Sequence, residues 1–340
     1  MTLKIRDIIK EFDLKAEELK DKEIQKFLLQ VLYRKQTNEW IQYHNGNAFI
    51  EINKKNGTSI RTILTDEEYK PLFPENIDMT ISEKCINGCK FCYANCTAQG
   101  KEADIKKYLD DKTSFLYSLH PGTELALNGN EPLHPDLKLL LEFCKERDIL
   151  ANLTVNENTL LLHKDELDNY LSQGLIHGIG ISPTKYSKDL IDFCKEHPTA
   201  VIHTIAGITT QSQFNKLKNN NLKILILGYK SFGRGIDYEN IVGEKIHKNI
   251  QKLGQELKDN NFFSSFQVVS FDNLGVEQLN IKTILNKEEW ETFYRGDDGK
   301  HTLYIDLVNE TFAKNSIQPK ENHLPIKKTA EEMLKIVREQ

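Results

Sequence analysis

Hydrophobic residues in the middle of the chain recur in short runs that are separated by longer amphipathic stretches. The runs lie at residues 77–81, 124–127, 149–155, 176–181, 200–205 and 223–228, with a seventh candidate at 265–271. Helix-length stretches such as residues 137–147 and 190–196 lie between them. This alternation of strands and helices is typical of an α/β protein with a parallel sheet, either a barrel or an open doubly wound sheet.

The two ends of the chain carry different patterns. Helical periodicity at residues 5–12 and 16–33 precedes a strand-rich stretch that is interrupted by Asn45-Gly46-Asn47 and Asn56-Gly57. Asn-Gly pairs favour tight turns, so this stretch predicts a small β-meander. Near the other end, residues 301–308 and 311–313 predict a β-hairpin, and residues 329–339 predict an amphipathic helix.

These patterns predict three regions. Residues 1–75 form an N-terminal extension of helices and a β-meander, residues 76–275 form an α/β core, and residues 276–340 form a cap made of a β-hairpin and a helix. The 340 residues are 39% hydrophobic and 28% charged, which is enough apolar material for a large core.

Charge and hydropathy predict in which compartment the protein works and which partners it does not favour. The N-terminus is charged from Lys4 and lacks the apolar core of a signal peptide, and no apolar run approaches the length of a membrane span. The net charge is −5 with acidic and basic residues intermixed, so charge does not favour binding to a large nucleic acid. We expect a cytoplasmic protein without membrane contact, where thiols stay reduced.

Three of the six cysteines follow the first strand run with CxxxCxxC spacing, at Cys85, Cys89 and Cys92. Three thiolates can hold a 4Fe-4S cluster and leave one iron open to bind and activate another molecule. Cys96 lies just beyond, so a structural zinc site with four sulfurs in a non-catalytic protein is an alternative. Ordinary buried thiols are a third interpretation, although half of the cysteines falling within eight residues argues against it.

This spacing, with the aromatic Phe91 just before the last cysteine, resembles the cluster motif of the radical S-adenosylmethionine (SAM) superfamily. The resemblance implies that Cys85, Cys89 and Cys92 hold one 4Fe-4S cluster whose open iron binds the amino and carboxylate groups of SAM. It implies reductive cleavage of SAM to a 5'-deoxyadenosyl radical, which abstracts hydrogen from a substrate, and a flavodoxin- or ferredoxin-like electron donor. The implied fold is a partial TIM-type (β/α)6 barrel, with the cysteine loop at the carboxyl edge of the strands.

A second motif follows the second strand run, at Asn128-Gly-Asn-Glu-Pro-Leu-His-Pro-Asp136. It resembles the Gly-Gly-Glu-Pro segment of the same superfamily, in which the glutamate accepts a hydrogen bond from the SAM amino group. Gly129 and Glu131 match, whereas Asn130 replaces the second glycine. That change is mild because asparagine tolerates unusual backbone angles.

The resemblance extends more weakly to later strands. It implies substrate or nucleoside contacts near Thr154 and Asn156, a ribose or carboxylate contact at Ser182, and adenine contacts near Gly207 and residues 227–229. Ordinary turn or strand-end chemistry is the alternative for each. The predicted cofactor-binding residues are Phe91, Gly129, Asn130, Glu131, Asn156, Ser182 and Gly207.

Substrate recognition is less specified, and no catalytic residue is assigned. Polar residues expected near the carboxyl ends of strands are Lys185, His203, Lys230, Arg234 and Asp272. Among them, Arg234 lies between glycines and is a candidate to clamp a carboxylate or phosphate. His203, within an apolar strand, is more simply a core histidine.

The reaction class is narrowed by the remaining cysteines. Cys144 and Cys194 lie in helical segments and no cysteine follows them, so one cluster is expected. The Pro-Leu-His-Pro-Asp segment resembles the corresponding segment of the superfamily branch that contains molybdopterin-pathway and peptide-maturase enzymes. This chain lacks the cysteine-rich C-terminal extension that many peptide-modifying members carry. A peptide or small-molecule substrate is favoured over a large nucleic acid, and a single-cluster enzyme that modifies a nucleotide or tRNA, or activates a glycyl radical protein, is the alternative.

Overall fold

The computed structural model describes Phe12, residues 21–63 and residues 67–340. Apart from Phe12, the predicted helix at residues 5–12 lies outside the described residues, as does the start of the predicted helix at 16–33. The chain divides into two compact units, Met1–Pro71 and Leu72–Gln340.

The first unit combines one described helix with a small antiparallel sheet. Helix α1 spans Lys22–Gln36 and begins at Asp21, whose carboxylate accepts a hydrogen bond from the backbone of Glu23 at 2.8 Å. The sheet has the order β1-β2-β3, and its strands are Trp40–Asn45, Ala48–Asn53 and Ser59–Ile63. This arrangement confirms the β-meander and its two Asn-Gly turns.

The second unit is built on a sheet of ten described strands in the order β10-β9-β8-β7-β6-β5-β4-β11-β12-β13. Its strands are β4 Asn76–Thr80, β5 Glu124–Gly129, β6 Leu150–Asn156, β7 Gly178–Ser182, β8 Ala200–Ile205, β9 Lys223–Leu227, β10 Val268–Phe271, β11 Thr302–Asp306, β12 Thr311–Ala313 and β13 Leu324–Pro325. Strands β4 to β10 pair in parallel in chain order. The sheet is therefore mostly parallel, as the strand–helix alternation predicts.

Helices connect the parallel strands. They are α2 Ile105–Asp110, α3 Leu137–Glu146, α4 Glu157–Leu162, α5 Lys164–Ser172, α6 Lys188–Glu196, α7 Gln211–Leu217, α8 Arg234–Glu256, α9 Asn260–Ser264, α10 Asn273–Gln278 and α11 Lys287–Phe293. A last helix, α12 Ala330–Arg338, follows β13. Cys144 and Cys194 are buried in α3 and α6, as predicted. None of the helices in the described ranges is long and apolar enough to cross a membrane.

The C-terminal strands complete the sheet on the other side of β4. Strand β11 pairs in parallel with β4, and β12 then pairs with β11 in the predicted antiparallel hairpin. The predicted seventh run is β10, which extends the sheet beyond β9. The parallel pairing of β11 with β4 was not predicted. The two strands are more than 200 residues apart, and local periodicity does not indicate pairing at that distance.

Alternation along the strands separates an apolar face from a polar one. Leu125, Leu127, Leu153 and Val155 are buried with the helices in a single core, whereas the residues between them point to the opposite face and are only half-buried. The polar face carries the side chains available for chemistry, including those of Asn152 and Thr154 in β6.

The two flanks of the sheet approach each other although no described strand pairing closes it. Asn273, directly after β10, donates from its side chain to Asp298 at 2.6 Å, shortly before β11. Lys230, after β9, lies 3.4 Å from the hydroxyl of Ser316, after β12. These strands are far apart in the sheet order, so the sheet is strongly curved around its polar face.

Close packing on that face gives a stability prediction at Gly180 in β7. A Cβ atom placed there would lie 2.2 Å from Cε1 of His203 in β8, so the imidazole occupies the space that a side chain needs. Gly180→Ala should lower the free energy of unfolding by about 1–3 kcal/mol because the ring must move. Denaturant unfolding measures this, and Gly180→Ala combined with His203→Ala should recover part of the loss. An equal loss in both backgrounds would contradict this packing.

Candidate functional site

The carboxyl ends of the parallel strands define the candidate site. Strands β4 to β11 all run in the same direction, so the segments that follow them emerge at one edge of the sheet. The cysteine loop follows β4, Glu131 follows β5 and Ser182 ends β7. In α/β proteins this edge is where ligands bind.

The three cysteines of the CxxxCxxC motif lie on one loop as free, half-buried thiols. The loop is folded by backbone hydrogen bonds, from Cys85 to Thr97 at 2.8 Å and from Cys92 to Cys89 at 3.3 Å. Burial raises the pKa of Cys89, and the nearby thiols of Cys92 and Cys85 raise it further. Within the described ranges, no group of three or more His, Cys, Asp or Glu side chains is arranged to hold a metal ion, so metal binding stays a prediction.

The fourth thiol of the loop differs from the other three. Cys96 is buried, and a hydrogen bond from its thiol lowers the pKa of Cys92 to about 6. The same bond raises the pKa of Cys96, and the amide of Asn130 also contacts Cys96, with Nδ2 3.6 Å from Sγ. Of this pair, Cys92 therefore loses its proton more readily than Cys96.

Arg234, at the start of α8, holds the cysteine loop through its backbone. Its Nε donates to the carbonyl of Cys89 at 3.1 Å, its Nη1 donates to that of Cys96 at 2.8 Å, and its amide N–H donates to that of Cys92 at 3.1 Å. The preceding Gly233 has φ +51°, and a Cβ there would lie 2.5 Å from the carbonyl oxygen of Tyr93. Arg234 thus clamps backbone carbonyls, and the predicted clamp on a carboxylate or phosphate is not what this guanidinium does here.

The loop after β5 is joined to the cysteine loop. Asn128 and Asn130 both donate from Nδ2 to the carbonyl of Ser82, at 2.6 and 2.7 Å. The amide of Ile86, next to Cys85, donates to the carbonyl of Glu131 at 2.7 Å. The two predicted motifs are therefore held side by side by direct hydrogen bonds.

The close approach of β6 explains Gly129. A Cβ atom at this position would lie 2.6 Å from Cγ1 of Val155 and 3.0 Å from the carbonyl oxygen of Thr154, so a side chain does not fit. Asn130, which replaces a glycine of the motif that this loop resembles, uses its side chain to bind the cysteine loop.

The carboxylate of Glu131 has a partner that the sequence did not reveal. Glu131 is 8% exposed, and its Oε2 lies 3.0 Å from Nε2 of His163, at the start of α5. A carboxylate only accepts hydrogen bonds when ionised, so Nε2 carries the hydrogen. The spacing of His163 from the motif gave no signal, because the contact joins two separate βα loops.

The weaker candidates are spread along the same edge. Phe91 packs edge-on against Tyr238 of α8, with 5.9 Å between the ring centroids. Asn156 caps α4 by accepting from the backbone of Asn158 at 2.9 Å, and it lies opposite the half-buried Ser182 in the parallel register. Gly207 is buried, with φ +84°, against α8. Their contacts with a cofactor stay predictions.

A buried acid that sequence analysis missed shapes the loop after Ser182. The carboxylate of Glu157, the first residue of α4, accepts backbone hydrogen bonds from Thr184, Lys185, Tyr186 and Ser187, at 2.6–3.0 Å. Burial opposes its ionisation, but these bonds outweigh it and lower the pKa of Glu157 to about 2. Lys185 therefore contributes its backbone to a fixed loop.

Several titratable groups on the polar face of the sheet have shifted pKa values. Burial lowers the pKa of His203 to about 4, with a further contribution from the charge of Lys230. Burial and the charge of Glu75 raise the pKa of Glu124 to about 7. Burial also raises the pKa of Asp78 in β4, although its side chain is accessible to solvent. All three groups lie on the polar face of the sheet.

Two further predicted substrate residues lie beside this surface. The ammonium of Lys230 lies 4.1 Å from the ring centroid of Tyr93, in the cysteine loop, which is cation–π distance. Asp272 caps α10 by accepting from the backbone of Gly275 at 2.7 Å, and it also accepts from Gly228. Lys230 is thus near the cysteines, whereas Asp272 is engaged in local structure.

The chain is similar in structure to SuiB from Streptococcus suis, solved bound to S-adenosylmethionine. The TM-score is 0.52, the sequence identity is 13%, and the alignment covers 88% of this chain and 86% of the SuiB chain. No protein-family model and no curated protein matches the chain by sequence. At this identity the similarity shows a shared α/β fold.

The clamp on the cysteine loop gives a second prediction. Arg234→Gln removes the charge and most of the hydrogen bonds to Cys89 and Cys96, so the free energy of unfolding should fall by about 2 kcal/mol. The cysteine thiols should also react faster with a thiol reagent in the variant. Lys252→Gln, at an exposed position on the same helix, is the matched control. Unchanged thiol reactivity in Arg234→Gln would contradict the clamp.

The raised pKa of Glu124 gives a pH prediction. Because the folded state binds this proton up to about pH 7 and the unfolded chain releases it near the ordinary value of 4.5, ionisation costs stability as the pH rises between these values. Glu124→Gln should therefore gain stability over the native chain as the pH rises from 4.5 to 7, and keep that gain above pH 7. Urea unfolding across this range measures the difference. A constant difference would show that Glu124 ionises normally.

Proposed function

We propose that the protein is a radical SAM enzyme. The observation that carries the proposal is the direct joining of the CxxxCxxC loop to the Glu131 loop, through the hydrogen bond from Ile86 to Glu131, at the carboxyl edge of a mostly parallel sheet. The fold shared with SAM-bound SuiB over 88% of the chain supports it. We also propose that the curved sheet of this unit is a partial TIM-type barrel.

The donor set of the loop suits a 4Fe-4S cluster. In the proposal Cys85, Cys89 and Cys92 are the ligands, since all three are free of disulfides, partly accessible and carried by one loop. The low pKa of Cys92 favours the thiolate that a metal needs. When bound, the cluster supplies the electron that splits SAM into methionine and a 5'-deoxyadenosyl radical.

The chain's own residues bind and orient SAM in this proposal. Glu131 accepts a hydrogen bond from the SAM amino group, and Gly129 and Asn130 hold the loop that carries it. Asn156 and Ser182 end β6 and β7, Gly207 follows β8, and all three are the proposed contacts to the rest of SAM at the same edge. We assign Phe91 to the same site because it lies in the cysteine loop, next to Cys92.

The polar, concave face of the sheet is the proposed substrate site. His203 stays neutral at pH 7 because of its low pKa, whereas Lys230 stays charged beside Tyr93. Such a mixed lining suits a polar peptide or small molecule, and an external flavodoxin- or ferredoxin-like protein would supply electrons.

A structural zinc site with four sulfurs is the second candidate, because Cys96 lies within hydrogen-bond reach of Cys92. The two thiols are inequivalent, however, since Cys96 is buried, its pKa is raised, and it contacts Asn130. A four-sulfur zinc site would require Cys96 to leave its contact with Asn130 and lose its proton.

Metal analysis of two variants tests the choice. After anaerobic reconstitution the native chain should be brown, with about four iron and four sulfide per chain. Cys92→Ala should lose the cluster because a ligand is removed, whereas Cys96→Ala should retain it. Iron, sulfide and zinc assays with visible absorption provide the measurement. A colourless native chain with stoichiometric zinc, or equal metal loss in both variants, would contradict the proposal.

A further inference from the structure

One face of helix α5 carries a chain of polar contacts that ends at Glu131. His163, Glu166 and Tyr170 are spaced three and four residues apart, so they lie on the same side of the helix. Tyr170 is buried and donates from its hydroxyl to Glu166. Oε2 of Glu166 lies 3.4 Å from Nδ1 of His163, and Nε2 of His163 donates to Glu131 at 3.0 Å.

These contacts restrict the carboxylate of Glu131. His163 engages Oε2, and within the described chain no hydrogen bond is made to Oε1. The backbone of Glu131 is separately fixed by the amide of Ile86. A nearly buried carboxylate with one oxygen bound and one free presents a single acceptor in a defined direction.

We propose that His163 is a positioning residue for Glu131: it holds Oε2 so that Oε1 is free to accept from the amino group of SAM. The inference rests on the proposed function, since it concerns how that site binds SAM. His163 itself acts through Glu131. Without His163, the carboxylate of Glu131 rotates. SAM binding must then also immobilise the Glu131 side chain, which lowers the affinity.

The test is the dissociation constant for SAM, measured by equilibrium dialysis on anaerobically reconstituted protein. His163→Ala should weaken binding about tenfold, the factor expected for loss of one fixing hydrogen bond. His163→Gln retains an N–H donor and should restore most of the affinity. In a Glu131→Gln background, His163→Ala should have little further effect, because the group through which it acts is already altered.

His197→Ala is the matched control. Nε2 of His197 lies 2.9 Å from Oδ1 of Asp168 on the same helix α5, and its exposure is similar to that of His163, but it is not connected to Glu131. SAM affinity should be unchanged in this variant. Thermal unfolding of every variant separates a binding defect from a folding defect.

The outcomes are distinguishable. If the reconstituted native chain does not bind SAM, the proposed function fails and the inference falls with it. If the native chain binds SAM and His163→Ala binds equally well, only the positioning role is overturned. An equal loss in the native and Glu131→Gln backgrounds would also overturn it, since His163 would then act independently of Glu131.

Discussion

The position of β4 inside the parallel sheet is the constraint on which the site depends. Hydrogen bonding to β5 on one side and β11 on the other places the start of the cysteine loop in the interior of the sheet, away from its edge strands. The loop therefore emerges next to the loop after β5, and the amide of Ile86 can reach the carbonyl of Glu131. Without that neighbouring pair of strands, the two motifs would be separate in space.

Curvature supplies the second requirement. Contacts from the segments after β9 and β10 to residues flanking β11 and β12 bring the sheet's flanks together around the polar face. Arg234, after β9, reaches the carbonyls of the cysteine loop for the same reason. The loop is thus held from both sides, by Asn130 and by Arg234. The fold therefore sets the conformation of the loop.

Much of this could be predicted from local sequence. Short apolar runs between amphipathic stretches located β4 to β10 within a few residues, and cysteine spacing located the loop. The parallel pairing of β11 with β4 could not be predicted, because it joins Thr302 to Asn76 across most of the chain. Nor could the roles of Arg234, Glu157 and His163, since each is a charged or polar residue whose partner lies on another βα unit. Local patterns give elements, whereas such contacts come from tertiary packing.

SAM cleavage tests the central claim most directly. Anaerobically reconstituted protein is incubated with SAM and dithionite, and 5'-deoxyadenosine is quantified by mass spectrometry. The account predicts 5'-deoxyadenosine and methionine from the native chain and none from Cys85→Ala, which lacks one of the three proposed cluster ligands. A native chain with a full complement of iron and sulfide that forms no 5'-deoxyadenosine would contradict the assignment to radical SAM chemistry.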